Sequence, residues 1–142
     1  MKKLIILTFL YLTCFACETK KDEAPEIQEQ TVSAPYRKST SVTIQGQALI
    51  VNILELNDSR CPINADCIQA GSVDLQLSVS DGTNKVNIPV SFKSDSKASG
   101  HQTFLLGKQN YSLVVHEVLP YPITDRKPDP EEYKVNLSIE KI

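Results

Sequence analysis

The chain has 142 residues, of which 41% are hydrophobic and 23% are charged, and its formal net charge is −2. This length fits one domain with extensions. Because basic residues are not in excess, the chain lacks the attraction to phosphate on which nucleic-acid binding depends. We therefore expect no nucleic-acid partner.

The amino-terminal segment MKKLIILTFLYLTCFAC has the pattern of a secretory signal peptide. Two lysines precede an apolar run of 13 residues, from Leu4 to Ala16. A membrane-spanning helix needs roughly 20 apolar residues, so this run is too short to span a bilayer. A basic head, a short apolar core and a small final residue are typical of a cleaved export signal. We therefore predict a signal peptide over residues 1–16.

The end of that segment resembles the lipobox of bacterial lipoproteins. Ala16 directly precedes Cys17, and a charged, polar chain begins at Glu18. Cys14 stands where a lipobox usually has Leu, Val or Ile. The resemblance implies cleavage before Cys17 and acylation of that residue, and several acyl chains give stable membrane anchoring. The alternative is ordinary cleavage after Ala16, which leaves Cys17 unmodified.

Residues 17–40 have the composition of a disordered tether. The segment contains few apolar residues, two prolines and many charges, so it cannot bury enough surface to offset the entropy of ordering. Its KKDE stretch resembles the lysine-plus-acidic signal that exports some lipoproteins to the outer face of the outer membrane, although a solvated charge cluster explains it equally well. We expect a lipid-anchored protein of the bacterial outer membrane, on the periplasmic or the cell-surface face.

From Ser41 to Ile142, apolar residues recur with the period of two that is typical of strands. Gly46 indicates a tight bend or bulge, DGTN is a hairpin signal, and Pro89 indicates an edge strand or a bulge. The predicted strands lie in the segments SVTI, ALIVNILEL, SVDLQLSVS, KVNIPVSF, QTFLL, YSLVVHEVL and EYKVNLSIEKI.

Seven or so short strands separated by turns predict an all-β domain over residues 41–142, namely an immunoglobulin-like β-sandwich. A small β-barrel is the alternative. The chain has no tryptophan, and two cysteines as close as Cys61 and Cys67 cannot join two sheets, so we do not expect a true immunoglobulin domain.

The stretch SRCPINADC contains Cys61 and Cys67, the two cysteines that remain once the signal peptide is removed and Cys17 is acylated. In an oxidising compartment they should pair, and Pro62 favours the turn that brings them together. A zinc site would need four ligands at closer spacing, and a redox pair would need CxxC at a helix start. We therefore predict a structural disulfide, and we expect no metal and no cofactor.

The stretch NDSRCPINADC, followed by Ala–Gly, is similar to a DSRCP…C…AG signature of small exported bacterial proteins. Those proteins also end in a strand, a proline-rich loop and a last strand, as this chain does from Tyr111 to Ile142. The resemblance covers most of residues 42–142 and implies an exported β-domain, without naming an activity.

Three residues are candidates for binding. Asp58 and Arg60 adjoin the cysteine loop. In one interpretation Asp58 bonds local backbone and Arg60 pairs with it. In the other, the loop displays Arg60 for the recognition of a partner. Tyr121, between two prolines, is a candidate contact residue. No catalytic motif such as GxSxG or HExxH is present.

The sequence therefore predicts a non-enzymatic binding or accessory domain with a protein or glycan partner at the envelope and the membrane as partner of its lipid anchor. One alternative is an inhibitor-like module that presents the Cys61–Cys67 loop to an exported protease. Another is an enzyme or metal carrier with an unrecognised site.

Overall fold

A computed structural model describes residues 30–93, 95 and 100–142. The predicted signal peptide, the lipidation site Cys17 and the tether up to residue 29 lie outside the described residues. The described chain contains a short 3₁₀ turn, Pro130–Glu132, and eight strands. The strands are β1 (Val32–Pro35), β2 (Thr40–Ile44), β3 (Gln47–Asp58), β4 (Val73–Ser80), β5 (Lys85–Phe92), β6 (His101–Leu106), β7 (Gln109–Leu119) and β8 (Lys134–Lys141).

The strands form two four-stranded antiparallel sheets, which confirms the predicted all-β sandwich. The first sheet has the order β2-β3-β4-β5 and is a meander, and the second has the order β1-β8-β7-β6. Over the described residues these are two separate sheets and not a closed barrel. Their strand order is not that of an immunoglobulin domain, which takes non-consecutive strands into both sheets.

Alternate residues of each strand pack between the sheets, as the period-two pattern predicts. On β4, for example, Val73, Leu75, Leu77 and Val79 are all buried, while Asp74 is exposed. Each side chain of this size contributes about 1.5–3 kcal/mol on burial. The other fully buried apolar side chains are Ala34, Val42, Leu49, Val51, Ile53, Leu113, Val118, Val135 and Leu137.

A β-bulge in β3 changes which side chains face the core. The register of β3 on β4 shifts between Ile53 and Glu55, so one extra residue is inserted into β3. Without it, a period of two would turn the odd-numbered residues after Ile53 inward. With it, Glu55 and Asn57 are exposed and Asp58 turns towards the end of the core. The bulge therefore places a carboxylate inside the sandwich and two polar side chains outside it.

The structure corrects the predicted boundary between tether and domain at residue 40. Strand β1 pairs with β8, and Ala34 and Tyr36 are 0% and 7% exposed. The backbone N–H of Tyr36 also donates to the carbonyl of Tyr133, at 2.9 Å. The sandwich therefore includes residues 32–40. The sequence did not reveal β1 because this edge strand is only four residues long and lies in a charged, proline-containing segment.

The two ends of the sandwich differ in character. One end carries three hairpin turns, including Gln45–Gly46, where both residues have positive φ (49° and 84°), which confirms the predicted tight bend. Pro89 lies on the edge strand β5, as predicted. The other end carries two long loops, residues 59–72 and 120–133, and we call it the cysteine end. In the part of the chain that is described, no helix has the length and apolarity needed to cross a membrane.

Candidate functional site

The cysteine loop, residues 59–72, is closed twice. Cys61 and Cys67 form the predicted disulfide, with Cα atoms 6.0 Å apart. Below it, the backbone N–H of Cys61 donates to the carbonyl of Ala70 at 2.8 Å, and that of Ser59 donates to the carbonyl of Ser72 at 2.9 Å. The loop is therefore a cross-linked extension of the β3–β4 pair.

Gly71 is required where the two stems of this loop meet. Its φ is +72°, a left-handed conformation that side chains other than glycine disfavour. A Cβ at this position would also collide with the backbone carbonyl of Ser59. The Ala–Gly at the end of the loop thus has a steric explanation, because only glycine allows the two stems to approach so closely.

Arg60 and Asp58 form a buried ion pair at the base of the loop, with each side chain only 2% exposed. The guanidinium Nε donates to Asp58 Oδ1 at 2.9 Å, and Nη2 donates to Oδ2 at 2.7 Å. The backbone N–H of Arg60 adds a third bond to Oδ1, at 3.0 Å. A bidentate pair of this kind fixes the orientation of the guanidinium as well as its position.

The same guanidinium connects the cysteine loop to the proline-rich loop. Arg60 Nη1 donates to the carbonyl of Val118 at 2.7 Å, and Nη2 donates to that of Pro120 at 2.9 Å, across the cis peptide bond between Leu119 and Pro120. The ring of Tyr121 lies against the guanidinium, with its centroid 4.4 Å from Cζ. Arg60 therefore joins the end of β3 in one sheet to the end of β7 in the other.

Tyr133 completes the hydrogen bonding of the Asp58 carboxylate, since its hydroxyl donates to Oδ2 at 3.1 Å. Burial alone raises the pKa of the Asp58 carboxyl, but the hydrogen bonds and charge of Arg60, together with Tyr133, hold that pKa below its ordinary value of 3.8. Burial and the adjacent Asp58 carboxylate raise the pKa of Tyr133 to about 12. The carboxylate is therefore ionised and fully partnered at neutral pH.

The tips of the two loops are also hydrogen-bonded to each other. The backbone N–H of Ile63 donates to the carbonyl of Pro122 at 3.1 Å. The Asn64 side chain donates to Thr124 Oγ1 at 2.8 Å and accepts from the Thr124 backbone N–H at 2.9 Å. Together with Arg60, these contacts make the cysteine end one connected surface.

The structure brings the three predicted binding residues together, but as an internal network. Arg60 contacts both Asp58 and Tyr121, as described above. Of the two alternatives that the sequence left open for Arg60, the pairing with Asp58 is confirmed. The display of Arg60 for recognition is excluded, because its guanidinium is buried against carbonyls and a carboxylate. The bulge in β3 is the physical reason for the burial of Arg60. It turns the Asp58 carboxylate inward, and the hydrogen bonds to that carboxylate hold the guanidinium inside as well.

The exposed residues of the cysteine end are apolar ones that the sequence analysis did not single out. Ile63 is 70% exposed, Ile68 is 104% exposed and Ile123, on the neighbouring loop, is 40% exposed. In the sequence, each of them is an isolated isoleucine in an otherwise polar loop. The alternation of apolar residues predicts burial only within strands, so it makes no prediction for these positions. Single exposed apolar residues are common, but these three lie on two loops that are hydrogen-bonded to each other at their tips.

The charges around these isoleucines are mostly negative. Exposed carboxylates of the two loops outnumber exposed cations by five to two. The carboxylates belong to Asp66, Asp125, Asp129, Glu131 and Glu132, and the cations to Arg126 and Lys127. The two loops therefore carry exposed apolar side chains together with an excess of exposed carboxylates.

No group of three or more His, Cys, Asp or Glu side chains lies close enough to hold a metal ion, as far as the described residues show. The two histidines lie on β6 and β7 of the second sheet. His101 bonds Ser112 at 3.0 Å and His116 bonds Ser138 at 2.8 Å. The cysteine end thus combines a saturated ion pair with exposed apolar side chains, which suits binding.

Comparisons with protein-family models, curated proteins and solved structures found no match to this chain.

Proposed function

We propose that this chain is a lipid-anchored protein of the bacterial outer membrane whose β-sandwich binds another envelope protein, without catalysis, through the cysteine end. The observation that carries the proposal is the exposure of Ile63 and Ile68 on a loop that is cross-linked at its base. Apolar side chains at the centre of an interface, surrounded by a polar rim, are typical of protein–protein contacts.

The rigidity of the loop supports a binding role. A flexible loop loses conformational freedom when it binds, and this loss opposes association. Here the disulfide, the Asn64–Thr124 bonds and the Arg60 contacts fix the loop before any partner arrives. Most of the free energy of burying the isoleucines therefore remains available for affinity.

The excess of carboxylates on the two loops favours a protein partner over a lipid surface. Inner-leaflet and other anionic headgroups repel carboxylates, and this repulsion acts over about one Debye length. With five exposed carboxylates against two exposed cations on the loops 59–72 and 120–133, these two loops would be held away from such a surface. A protein with an apolar depression and basic residues around it matches both the shape and the charge.

The lipid anchor of the proposal depends on Cys17. Cys17 and Val32, the first residue of β1, are 15 positions apart. At full extension that length of chain spans about 50 Å, which sets the greatest distance between the sandwich and the bilayer. We expect radiolabelled palmitate to enter the protein, and Cys17→Ala to abolish both the label and membrane association. Unlabelled protein recovered from the cytosol would remove the anchor from the proposal.

The binding surface is tested by paired substitutions in the full chain. We expect Ile63→Asp with Ile68→Asp to abolish the capture of a specific envelope protein, because both charges would have to be desolvated in the interface. Leu105→Asp is the matched control, since Leu105 is 57% exposed but lies on β6. All variants should keep the parental melting temperature. Equal capture by the loop variant and the control would exclude the cysteine end as the contact.

An inhibitor is the second candidate, because the exposed residues lie on a short cross-linked loop of the kind that can occupy a protease cleft. In that version the contact residues are Ile63 and Ile68, and not Arg60 as the sequence alone suggested. Purified protein should slow a co-exported protease, and the Ile63→Asp, Ile68→Asp variant should lose this effect. A survey of exported proteases with no inhibition at micromolar protein would leave the non-inhibitory partner as the proposal.

A further inference from the structure

We propose a second binding site, independent of the cysteine end, in a groove on the outer face of the first sheet, and we infer that it takes a neutral or amino-substituted glycan. The groove has a volume of about 530 Å³. Cavities of roughly 300–1,000 Å³ are typical of small-ligand sites. The groove is open to solvent, as a site for part of a longer chain would need to be.

The groove is a regular grid of side chains on three adjacent strands. One row runs from Glu55 across to Gln76 and Pro89, and the next row runs from Asn57 to Asp74 and Ser91. Directly opposite side chains in such rows lie about 5 Å apart, and the two rows are about 7 Å apart. All six residues line the groove.

The bulge in β3 creates this grid. Glu55 and Asn57 would face the core if the period of two continued from Ile53, and the shift after Ile53 turns them outward. The extra residue also increases the local twist of the sheet, which is how bulges curve a sheet face. The same irregularity that sends Asp58 inward therefore forms the outer groove.

The polar side chains of the groove have hydrogen-bonding capacity that the chain itself does not use. Glu55, Asn57, Asp74, Gln76 and Ser91 make no side-chain hydrogen bond to any other described residue. Elsewhere on the same face, Ser39 and Asn52 are bonded to each other at 2.7 Å. The grid thus offers two carboxylates, two amides and one hydroxyl that point to the same side.

A polyhydroxylated ligand matches this set of groups. Each sugar hydroxyl both donates and accepts, so it can pair with a carboxylate, either end of an amide or a serine hydroxyl. Pro89 contributes an exposed apolar ring on which the C–H face of a sugar can rest. An extended peptide that adds to the sheet pairs through a backbone N–H on each strand, and Pro89, on the edge strand β5 of this groove, has none.

The charge of the groove restricts the class of glycan. Among the described residues that line the groove, the ionisable ones are Glu55 and Asp74, so the lining carries negative charge at neutral pH. Sulfated or uronic-acid glycans would be repelled, and a free amino group would be attracted. We therefore expect amino sugars to bind best, neutral sugars next and acidic sugars not at all.

The test uses the mature full chain and three probes: a chitosan trisaccharide, maltotriose and a trigalacturonic acid. We expect calorimetry or NMR titration to rank the affinities in that order. Asp74→Ala and Gln76→Ala should each lower the affinity for the chitosan trisaccharide at least tenfold, and Ser91→Trp, which fills the groove, should abolish binding. Asn87→Ala is the matched control, because Asn87 is exposed on the same face of β5 but outside the groove.

Three results would overturn this inference: no binding of any probe at millimolar concentration, tighter binding of the trigalacturonic acid than of the other two, or equal loss in Asn87→Ala and the groove variants. The Ile63→Asp, Ile68→Asp variant should bind the trisaccharide normally. That comparison separates failure of the groove from failure of the proposed protein contact at the cysteine end.

Discussion

Replacing Arg60 tests the buried network most sharply. Arg60→Met keeps much of the apolar stem but removes the guanidinium, and with it two bonds to Asp58 and the bonds to the carbonyls of Val118 and Pro120. The Asp58 carboxylate would then remain buried without its counter-ion. Breaking one partner of a buried ion pair costs about 3–5 kcal/mol.

The structure supplies a control of the same residue type. Arg126 pairs with Glu132 at 2.6 Å, but the two side chains are 59% and 41% exposed. An exposed pair of this kind contributes about 0–1 kcal/mol. Arg126→Met should therefore be close to parental in stability, although it too loses an arginine and an ion pair.

Urea denaturation, read as the shift in midpoint at constant slope, measures both variants. We expect Arg60→Met to lose about 3–5 kcal/mol, equivalent to a fall of at least about 10 °C in melting temperature for a domain of this size. In a double-mutant cycle, Asp58→Leu combined with Arg60→Met should be less destabilised than the sum of the single variants, because it removes both charges. A loss below about 1 kcal/mol in Arg60→Met, or strict additivity in the cycle, would refute the reasoning.

Three further predictions concern the same end of the molecule. Replacing Cys61 and Cys67 by serine should lower the free energy of unfolding by about 2.4 kcal/mol relative to the disulfide-bonded parental protein, on the chain-entropy model for this short loop. Urea denaturation measures this loss, and the reduced parental protein should unfold at the same midpoint as the variant. Gly71→Ala should destabilise the domain by more than about 1 kcal/mol, the usual size of the difference between glycine and alanine in a helix or strand. The reasons are the positive φ of Gly71 and its close approach to the backbone of Ser59, and an unchanged urea midpoint would contradict this loop geometry. Folding lowers the pKa of Asp58, so the stability that this carboxylate contributes is present above about pH 4 and should be lost as the pH falls further. Folding raises the pKa of Tyr133 to about 12, so stability should also fall as the pH rises from about 10 towards 12. Melting temperatures that stay flat across both ranges in the parental protein would contradict the network.

Most of the fold was accessible from local pattern. Seven strands, the DGTN hairpin, the bend at Gly46 and the edge position of Pro89 each follow from side-chain period or from turn chemistry, which act over a few residues. Strand β1 did not follow, since its pairing with β8 joins residues about 100 positions apart and its own four residues carry little signal.

The site was accessible only in part. The disulfide followed from the cysteine count and the predicted export, and the pairing of Asp58 with Arg60 followed from their proximity in sequence. Whether that pair faces solvent or the core depends on one inserted residue in β3, and neither the period of two nor composition locates a bulge. For the same reason, the outer groove was not predicted.

Photo-crosslinking in intact cells tests the proposed contact most directly. A photoreactive residue replacing Ile68, at the most exposed point of the cysteine loop, should form a light-dependent adduct with one envelope protein. The same residue replacing Leu105 should not. Adducts of equal yield from both positions, or none from position 68 in cells that display the protein at the membrane, would contradict the account.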